Sequence, residues 1–308
     1  MSVDPDITTK LGMLELKNPV MTASGTFGYG QEYSSLIDLN LLGAIIVKGI
    51  SIKPMPGNPP PRIVETTGGM LNAIGLANIG IETFLRDKLP WLKTIDTSVI
   101  VNIYGHSIQE YGELASALKD VDGVSGIEVN ISCPNVDKGG LVFGKDPEMS
   151  ARVTETVVKN TSKPVIVKLT PNVSDITILA SAVEQAGAHC LSLINTLTGM
   201  AIDIETGKPR LGNISGGLSG PAIKPVALHM VYQVSKAVKI PVIGIGGILN
   251  AQDALEFMIA GASAVQVGTA NFINPKATLE IIDGIKNYCE RKNIKNIQEI
   301  IGSINSEI

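Results

Sequence analysis

The chain has 308 residues, with 25 Lys and Arg against 29 Asp and Glu, and a formal net charge of −4. Hydrophobic residues make up 44% of the sequence and charged residues only 18%, which excludes an intrinsically disordered chain and supplies a large core. Basic residues form no run or stripe, so a nucleic-acid backbone is not an expected partner.

No apolar run reaches the length of a transmembrane helix, and the first ten residues lack the apolar centre of a signal peptide. The three cysteines, Cys133, Cys190 and Cys289, are far apart, which argues against a disulfide framework or an iron–sulfur cluster. The three histidines show no metal-ligand spacing. We therefore expect a cytoplasmic protein with no membrane partner and no metal of its own.

Short, β-rich apolar runs recur along the chain and are mostly continuous rather than alternating. This pattern is typical of parallel strands that are covered on both faces. The eight predicted strands cover residues 19–25, 44–48, 99–103, 126–132, 165–170, 190–195, 242–246 and 264–268.

Amphipathic stretches with a helical period separate these runs. The clearest predicted helices cover residues 108–119, 147–161, 176–186, 221–238 and 251–259. Asp146-Pro147 and Gly220-Pro221 place a proline in the first turn of a helix, and Asn250 is suited to cap the last of the five.

Eight strands alternating with helices predict an α/β fold of the TIM (β/α)8 barrel type. A doubly wound sheet is less well supported, because Gly25 and Gly28 after the first strand do not form the expected dinucleotide-binding glycine pattern. Residues 7–16 predict a small N-terminal hairpin at the bottom of the barrel, and residues 50–89 predict a loop insertion at its C-terminal face. No linker divides the chain, so residues 1–308 are expected to form one domain.

Polar residues stand at most of the predicted strand ends, where a TIM barrel carries its chemistry. In chain order these ends are Ser24, Lys48, Asn102, Asn130, Lys168, Asn195, Gly246-Gly247 and Gly268-Thr269. Two lysines at one mouth need anionic partners. The glycine-rich ends of the last two strands suit a phosphate group, because bare backbone N–H groups approach an anion closely.

The fourth predicted strand continues into Cys133 and a loop with three glycines, which indicates a reactive group on a lid. No histidine lies in this loop to form a thiolate pair, so Cys133 is a better candidate for a general base than for a nucleophile. Cys190 and Cys289 are interpreted as inert buried thiols. Amide side chains at the mouth, with Lys48, suit a small polar anion; they belong to Asn72, Asn130, Asn135 and Asn195.

The motifs at these positions closely resemble the dihydroorotate dehydrogenase family over nearly the whole chain. They are Asn130-Ile-Ser-Cys-Pro-Asn135, Asn72-Ala-Ile-Gly-Leu76, Val47-Lys48, Val167-Lys168, Asn195-Thr196, Gly217-Leu-Ser-Gly220 and Gly246-Gly247. Cysteine at the base position is similar to the cytosolic class 1. The membrane-bound class has serine there and an N-terminal helical extension, neither of which this sequence contains. The stretches 135–144 and 217–228 resemble the catalytic subunit of the NAD-linked B type.

The resemblance implies one FMN per chain. Its implied contacts are Ser24, Lys48, Gly49, Asn102, Asn130, Lys168, Ile194, Gly220, Gly246, Gly247, Gly268 and Thr269. The implied contacts of dihydroorotate are Lys48, Asn72, Ala73, Ile74, Gly75, Leu76, Asn130, Asn135, Asn195 and Thr196. By the same resemblance, Lys168 lies by the pyrimidine edge of the flavin, and Cys133 removes the C5 proton of dihydroorotate while a hydride passes from C6 to flavin N5.

The resemblance also implies oxidation of dihydroorotate to orotate in pyrimidine biosynthesis, with NAD as the final acceptor. A partner subunit with FAD and a [2Fe-2S] cluster then carries the electrons, in a heterotetramer built on a homodimer of this chain. A homodimer that reduces fumarate is the alternative within the family. Outside it stand dihydrouridine synthases, the pyrimidine-reducing domain of dihydropyrimidine dehydrogenase, a Schiff-base aldolase using Lys168, and a non-catalytic binding barrel.

Overall fold

The computed structural model of the chain describes residues 4–131 and 140–305. Its core is a closed barrel of eight parallel strands, which confirms the predicted (β/α)8 fold. In chain order the barrel strands are β1 (Val20–Thr22), β2 (Ala44–Ile46), β3 (Ser98–Ile103), β4 (Gly126–Asn130), β5 (Val165–Lys168), β6 (Cys190–Leu193), β7 (Val242–Ile245) and β8 (Ala264–Val267). Neighbours in sequence are neighbours in the barrel, and β8 pairs with β1 to close it.

Alternation along each strand explains why the apolar runs are continuous. Side chains that point outward, such as Val99 and Val101 on β3, pack in the core between the strands and the helices. Ile100 and Ile166 point inward near the bottom of the barrel. Two residues further along the same strands, Asn102 and Lys168 therefore face the barrel interior nearer its mouth. Both faces are buried, and on these two strands the inward-facing polar side chain is at or next to the carboxyl end.

The N-terminal hairpin closes the bottom of the barrel. Thr9–Leu11 pairs with Leu14–Leu16 in an antiparallel hairpin, as predicted for residues 7–16. The apolar side chains of both strands are buried in one cluster with inward-facing barrel residues, among them Met21 and Ile243. The hairpin thus seals the end of the barrel opposite to the strand carboxyl ends.

Helices cover the outside of the barrel. The long ones span Ile108–Leu118, Pro147–Lys159, Ile176–Gln185, Lys224–Ala237, Ala251–Ala260 and Ala277–Lys292. The predicted cap is confirmed: the Asn250 side chain accepts from the Asp253 N–H. Pro147 is in the first turn of its helix as predicted, and the Asp146 carboxylate caps that helix by accepting from the Met149 N–H. The helix predicted for residues 221–238 differs at its start: Pro221 begins a short 3-10 turn, Pro221–Ile223, and the α-helix itself begins at Lys224.

The insertions at the C-terminal face form a sheet that sequence periodicity does not reveal. Strands Ile63–Thr66 and Gly69–Asn72, from the insertion after β2, join Leu197–Gly199 and Gly216–Ser219, from the connection after β6. This antiparallel sheet holds both insertions above the barrel mouth. Within the predicted lid loop, the part at Gly140–Lys145 is helical.

No helix within the described ranges combines the length and the apolar character required to cross a bilayer.

Candidate active site

One cavity opens at the carboxyl ends of the barrel strands, under the four-stranded sheet. It contains about 1240 Å³ of empty space, part of it open to solvent. All residues that the resemblance assigns to FMN line this cavity: Ser24, Lys48, Gly49, Asn102, Asn130, Lys168, Ile194, Gly220, Gly246, Gly247, Gly268 and Thr269. Because the active site of a TIM barrel lies at the carboxyl ends of its strands, residues up to 245 positions apart in sequence come together in this cavity.

Most residues assigned to the substrate line the same cavity. These are Lys48, Asn72, Ile74, Gly75, Leu76, Asn130, Asn195 and Thr196. Ala73 does not line it: its side chain is 1% exposed and packs in an apolar cluster with Leu71 and Leu211. Cys133 and Asn135 lie outside the described residues.

Glycines from three loops form one end of the cavity; we call Gly220, Gly246, Gly247 and Gly268 the glycine cradle. Gly246 and Gly247 have φ angles of 130° and 73°, which side-chain-bearing residues rarely adopt. A Cβ on Gly247 would lie 2.9 Å from the Gly220 carbonyl oxygen. The backbones therefore approach one another as closely as glycine allows, and no Cβ from these residues fills this end of the cavity.

The loop after β7 is held by the start of the next helix. The Asp253 carboxylate accepts from the Leu249 N–H at 2.9 Å and pairs with the Lys224 ammonium at 2.7 Å. The Asp253 hydrogen bond raises the pKa of Lys224 above its ordinary value. Since a Cβ on Gly247 would lie 2.7 Å from the Lys224 Cβ, this partly buried pair packs directly against the cradle.

A buried ion pair lies beneath the cavity. Lys168, on β5, is 5% exposed and lies 3.7 Å from Oε1 of Glu128, on β4, which has no exposed surface. Sequence analysis predicted the lysine but not its partner, because Glu128 stands within an apolar run that already satisfied the pattern of a strand. The sequence did contain an indication of this pair, because a buried carboxylate needs a counter-charge and Lys168 faces the same barrel interior.

Asn102 presents an unused acceptor to the cavity. Its Nδ2 donates to Glu128 Oε1 at 2.7 Å, and this fixes the orientation of the amide. Its Oδ1 is buried and has no hydrogen-bond partner among residues 4–131 and 140–305. A Cβ on Gly49 would lie only 2.7 Å from this oxygen, so the Asn102 amide packs closely beneath Gly49. A buried acceptor at a cavity wall fits a ligand that carries an N–H donor.

Amide and ammonium groups line the other side of the cavity. The Lys48 Nζ lies 3.9 Å from the position that a Cβ on Gly25 would take. Asn195 Nδ2 lies 3.5 Å from Asn130 Oδ1, so the ends of β4 and β6 place two amides together. Tyr111 donates its hydroxyl to the Asn130 carbonyl at 2.8 Å and thereby supports the end of β4 from outside the barrel.

A tyrosine missed by sequence analysis supports the loop of residues 72–76. Leu76 has a φ of 58°, an uncommon conformation for a residue with a side chain. Its carbonyl accepts from the Tyr104 hydroxyl at 2.9 Å and from Asn78 Nδ2 at 2.9 Å. Tyr104 is 2% exposed and follows the predicted third strand directly. A single tyrosine at the end of an apolar stretch is interpreted as a core residue, so the sequence does not indicate that Tyr104 supports the loop of residues 72–76.

Cys190 and Cys289 are buried free thiols, in agreement with their interpretation from sequence. Burial raises the pKa of both, and most strongly that of Cys190, so both thiols are neutral at physiological pH. In the part of the chain that the structure describes, His, Cys, Asp and Glu side chains form no group of three or more suited to hold a metal ion.

Comparison with known proteins agrees with this geometry. The family model for dihydroorotate dehydrogenase matches residues 6–289. Proteins named "Dihydroorotate dehydrogenase B (NAD(+)), catalytic subunit" are similar to this chain at high identity. That of Geotalea daltonii is 60% identical over 300 residues, which cover 97% of this chain and 98% of the relative. Those of Pelobacter propionicus and a Thermoanaerobacter species are each 58% identical and cover 97% of this chain and 99% of the relative.

The family match covers the barrel from its first strand to the last long helix, and the relatives align over nearly their whole length. Taken with the barrel and the residues gathered at its mouth, these matches show that the chain belongs to the dihydroorotate dehydrogenase family.

Proposed function

We propose that this chain oxidises dihydroorotate to orotate in pyrimidine biosynthesis, with FMN as its bound flavin. The observation that carries the proposal is the cavity at the barrel mouth, where two lysines, several amides and a glycine cradle come together. Family membership and the names of the relatives support the same activity.

The cavity has the features that a flavin mononucleotide requires. The glycine cradle and Thr269 would hold the phosphate through backbone N–H groups. Lys168 and Asn102 would face the polar edge of the ring, where the unused Asn102 Oδ1 suits an N–H donor. Bound FMN supplies the acceptor for the hydride that leaves C6 of dihydroorotate.

The residues of the chain would bind the substrate and move its proton. Dihydroorotate is an anion with amide groups, and Lys48 with Asn72, Asn130 and Asn195 offers a cation with donors and acceptors around it. Asn135 would complete this set. Cys133 would act as the general base that takes the proton from C5, a carbon next to a carbonyl group. This role would require Cys133 in its thiolate form, since the thiolate is the basic form of a cysteine.

The ion pair beneath the cavity counts against the Schiff-base alternative. A lysine that forms a Schiff base attacks as the neutral amine, which requires a site that disfavours its charge. Lys168 instead lies 3.7 Å from the buried carboxylate of Glu128, which offers its charged form a counter-ion.

We propose that electrons leave through a separate subunit with FAD and a [2Fe-2S] cluster, in a heterotetramer on a homodimer of this chain. The relatives are named as catalytic subunits of an NAD(+)-linked enzyme, which supports a partner and NAD as the final acceptor. Two buried free cysteines fit the reducing conditions of the cytoplasm. We further propose that residues 1–308 form one domain, since both insertions pair with each other above the same barrel.

The proposal is tested by following orotate formation from dihydroorotate with an artificial electron acceptor. Wild type is expected to be active, and Cys133→Ser is expected to bind orotate but to reduce its flavin far more slowly at neutral pH, because a serine hydroxyl is a much weaker base. Equal single-turnover rates of flavin reduction in the two proteins would contradict the role of Cys133. Substitution of fumarate for the artificial acceptor distinguishes the fumarate-reducing alternative, which needs no second subunit.

A further inference from the structure

Glu128 is the one charged residue inside the barrel that the proposed reaction does not use among those described here. It lies on β4 with no exposed surface. Its two oxygens are surrounded by donors: Oε1 accepts from Asn102 Nδ2 at 2.7 Å, and Oε2 accepts from Ser192 Oγ at 2.9 Å and Gln266 Nε2 at 2.6 Å. Strands β3, β4, β6 and β8 each contribute one member of this network, so its geometry is set by the barrel register.

Lys168 completes this network. In the described part of the chain, Glu128 is the only carboxylate within 4.0 Å of the Lys168 ammonium. Both side chains are nearly or fully buried, at 7% and 0% exposure. Removal of one member of such a pair leaves an uncompensated buried charge, which is strongly unfavourable. The position of the Lys168 ammonium therefore depends on Glu128.

The same carboxylate sets the orientation of two amides. Because Asn102 and Gln266 both turn their NH2 groups to Glu128, their carbonyl oxygens point away from it. Both oxygens are buried without a partner among the described residues, and Asn102 also lines the cavity. Glu128 thus fixes the orientation of the Asn102 amide at the cavity wall.

We propose that Glu128 is a positioning residue that acts through Lys168: it holds the ammonium, together with the acceptor face of Asn102, beneath the bound flavin. This inference rests on the proposal that the cavity holds FMN. A fixed positive charge at that place favours the reduced flavin, because reduction adds negative charge to the ring. The midpoint potential of the bound flavin then depends on Glu128.

The sign of the effect separates this role from a direct electrostatic one. If Glu128 acted only as a negative charge near the ring, its neutralisation would raise the midpoint potential. If it acts by holding Lys168, its neutralisation releases the ammonium from its place beneath the ring, and the potential falls. Without Lys168, Glu128 has no ammonium to hold, so its replacement by an amide causes no further fall in the potential.

The experiment measures the flavin midpoint potential, at saturating FMN, in a double-mutant cycle of wild type, Glu128→Gln, Lys168→Met and the double variant. Gln is nearly isosteric with Glu, and Gln266 is able to turn its unused oxygen to the new NH2 group. Glu155→Gln is the control, because it removes one negative charge from an exposed pair with Lys159. Circular dichroism and the dissociation constant of FMN check the fold and loading of each variant.

We expect a fall in potential for Glu128→Gln and for Lys168→Met, no further fall in the double variant, and no change for Glu155→Gln. A rise or no change for Glu128→Gln, or falls that add in the double variant, would overturn the inference. Glu128→Asp supplies a second test, because aspartate keeps the negative charge but its side chain is one methylene shorter, which moves the carboxylate away from Lys168. Its potential is expected to fall less than that of Glu128→Gln; an equal or larger fall would contradict the role of charge. A chain that binds no flavin at all contradicts the proposed function instead.

Discussion

The glycine cradle permits a matched pair of substitutions, Gly247→Ala and Gly268→Ala. Gly247 has a φ of 73°, and a Cβ there would lie 2.7 Å from the Lys224 Cβ and 2.9 Å from the Gly220 carbonyl oxygen. Gly268 has no such φ, and its Cβ would lie 3.5 Å from the Ala23 Cβ, an ordinary contact. The two substitutions add the same methyl group to neighbouring loops of one cavity, so they differ only in local geometry.

The structure gives a magnitude for each. A left-handed conformation costs an alanine about 1–2 kcal/mol, and overpacking typically costs about 1–3 kcal/mol. Gly247→Ala is therefore expected to lower the free energy of unfolding by roughly 2–5 kcal/mol. Gly268→Ala is expected to change it by less than about 1 kcal/mol, because alanine also reduces the entropy of the unfolded chain.

Urea unfolding of the FMN-free proteins, followed by circular dichroism, measures both values. The FMN-free form is the correct reference, since a bound ligand would add its own stabilisation. Equal stability of the two variants would refute the geometry assigned to the cradle, as would a larger loss for Gly268→Ala.

Three further predictions concern single side chains. Tyr104→Phe removes the hydroxyl that donates to the Leu76 carbonyl. We expect the free energy of unfolding to fall by about 1–3 kcal/mol and the KM for dihydroorotate to rise roughly 3–10-fold. An unchanged KM would show that Tyr104 does not support the substrate loop. His189 accepts from the Val165 N–H through Nδ1, and burial lowers the pKa of its imidazole. As the pH falls, the imidazole of His189 is therefore protonated in the unfolded chain before it is protonated in the folded one. The free energy of unfolding should then fall as the pH drops from about 7 to about 5.5. His189→Gln should reduce that dependence in urea unfolding, and an identical pH profile would contradict the assignment. Burial raises the pKa of Cys190, so iodoacetamide at mildly alkaline pH should label it only after unfolding; labelling of the folded protein, read by peptide mass, would contradict its burial.

The barrel was predictable because it repeats one physical pattern eight times. Each strand is a short apolar run buried on both faces, and several helices begin at capping residues such as Asp146 and Asn250. Since the carboxyl ends of all eight strands meet at one end of the barrel, the polar residues at those ends are predicted to lie together without any knowledge of distances. A long-range pattern of this kind survives small errors in element boundaries.

The rest depends on contacts between residues that sequence alone does not relate. Glu128 reads as an interruption of an apolar strand until Lys168 is known to lie beside it. The sheet above the mouth consists of strands of three or four residues, and Asn72 pairs there with Gly217, far away in the chain. Short strands carry little periodicity, and their partners are chosen by the fold as a whole. This sheet holds Asn72, the first residue of the substrate loop, in place.

The most direct test of the central claim is the visible absorption of the purified, FMN-loaded chain before and after anaerobic addition of dihydroorotate. The account predicts a yellow protein that is bleached by the substrate, with formation of one orotate for each flavin reduced. A protein that binds no flavin in the cavity at the barrel mouth, or one whose flavin stays oxidised with dihydroorotate bound, would contradict it.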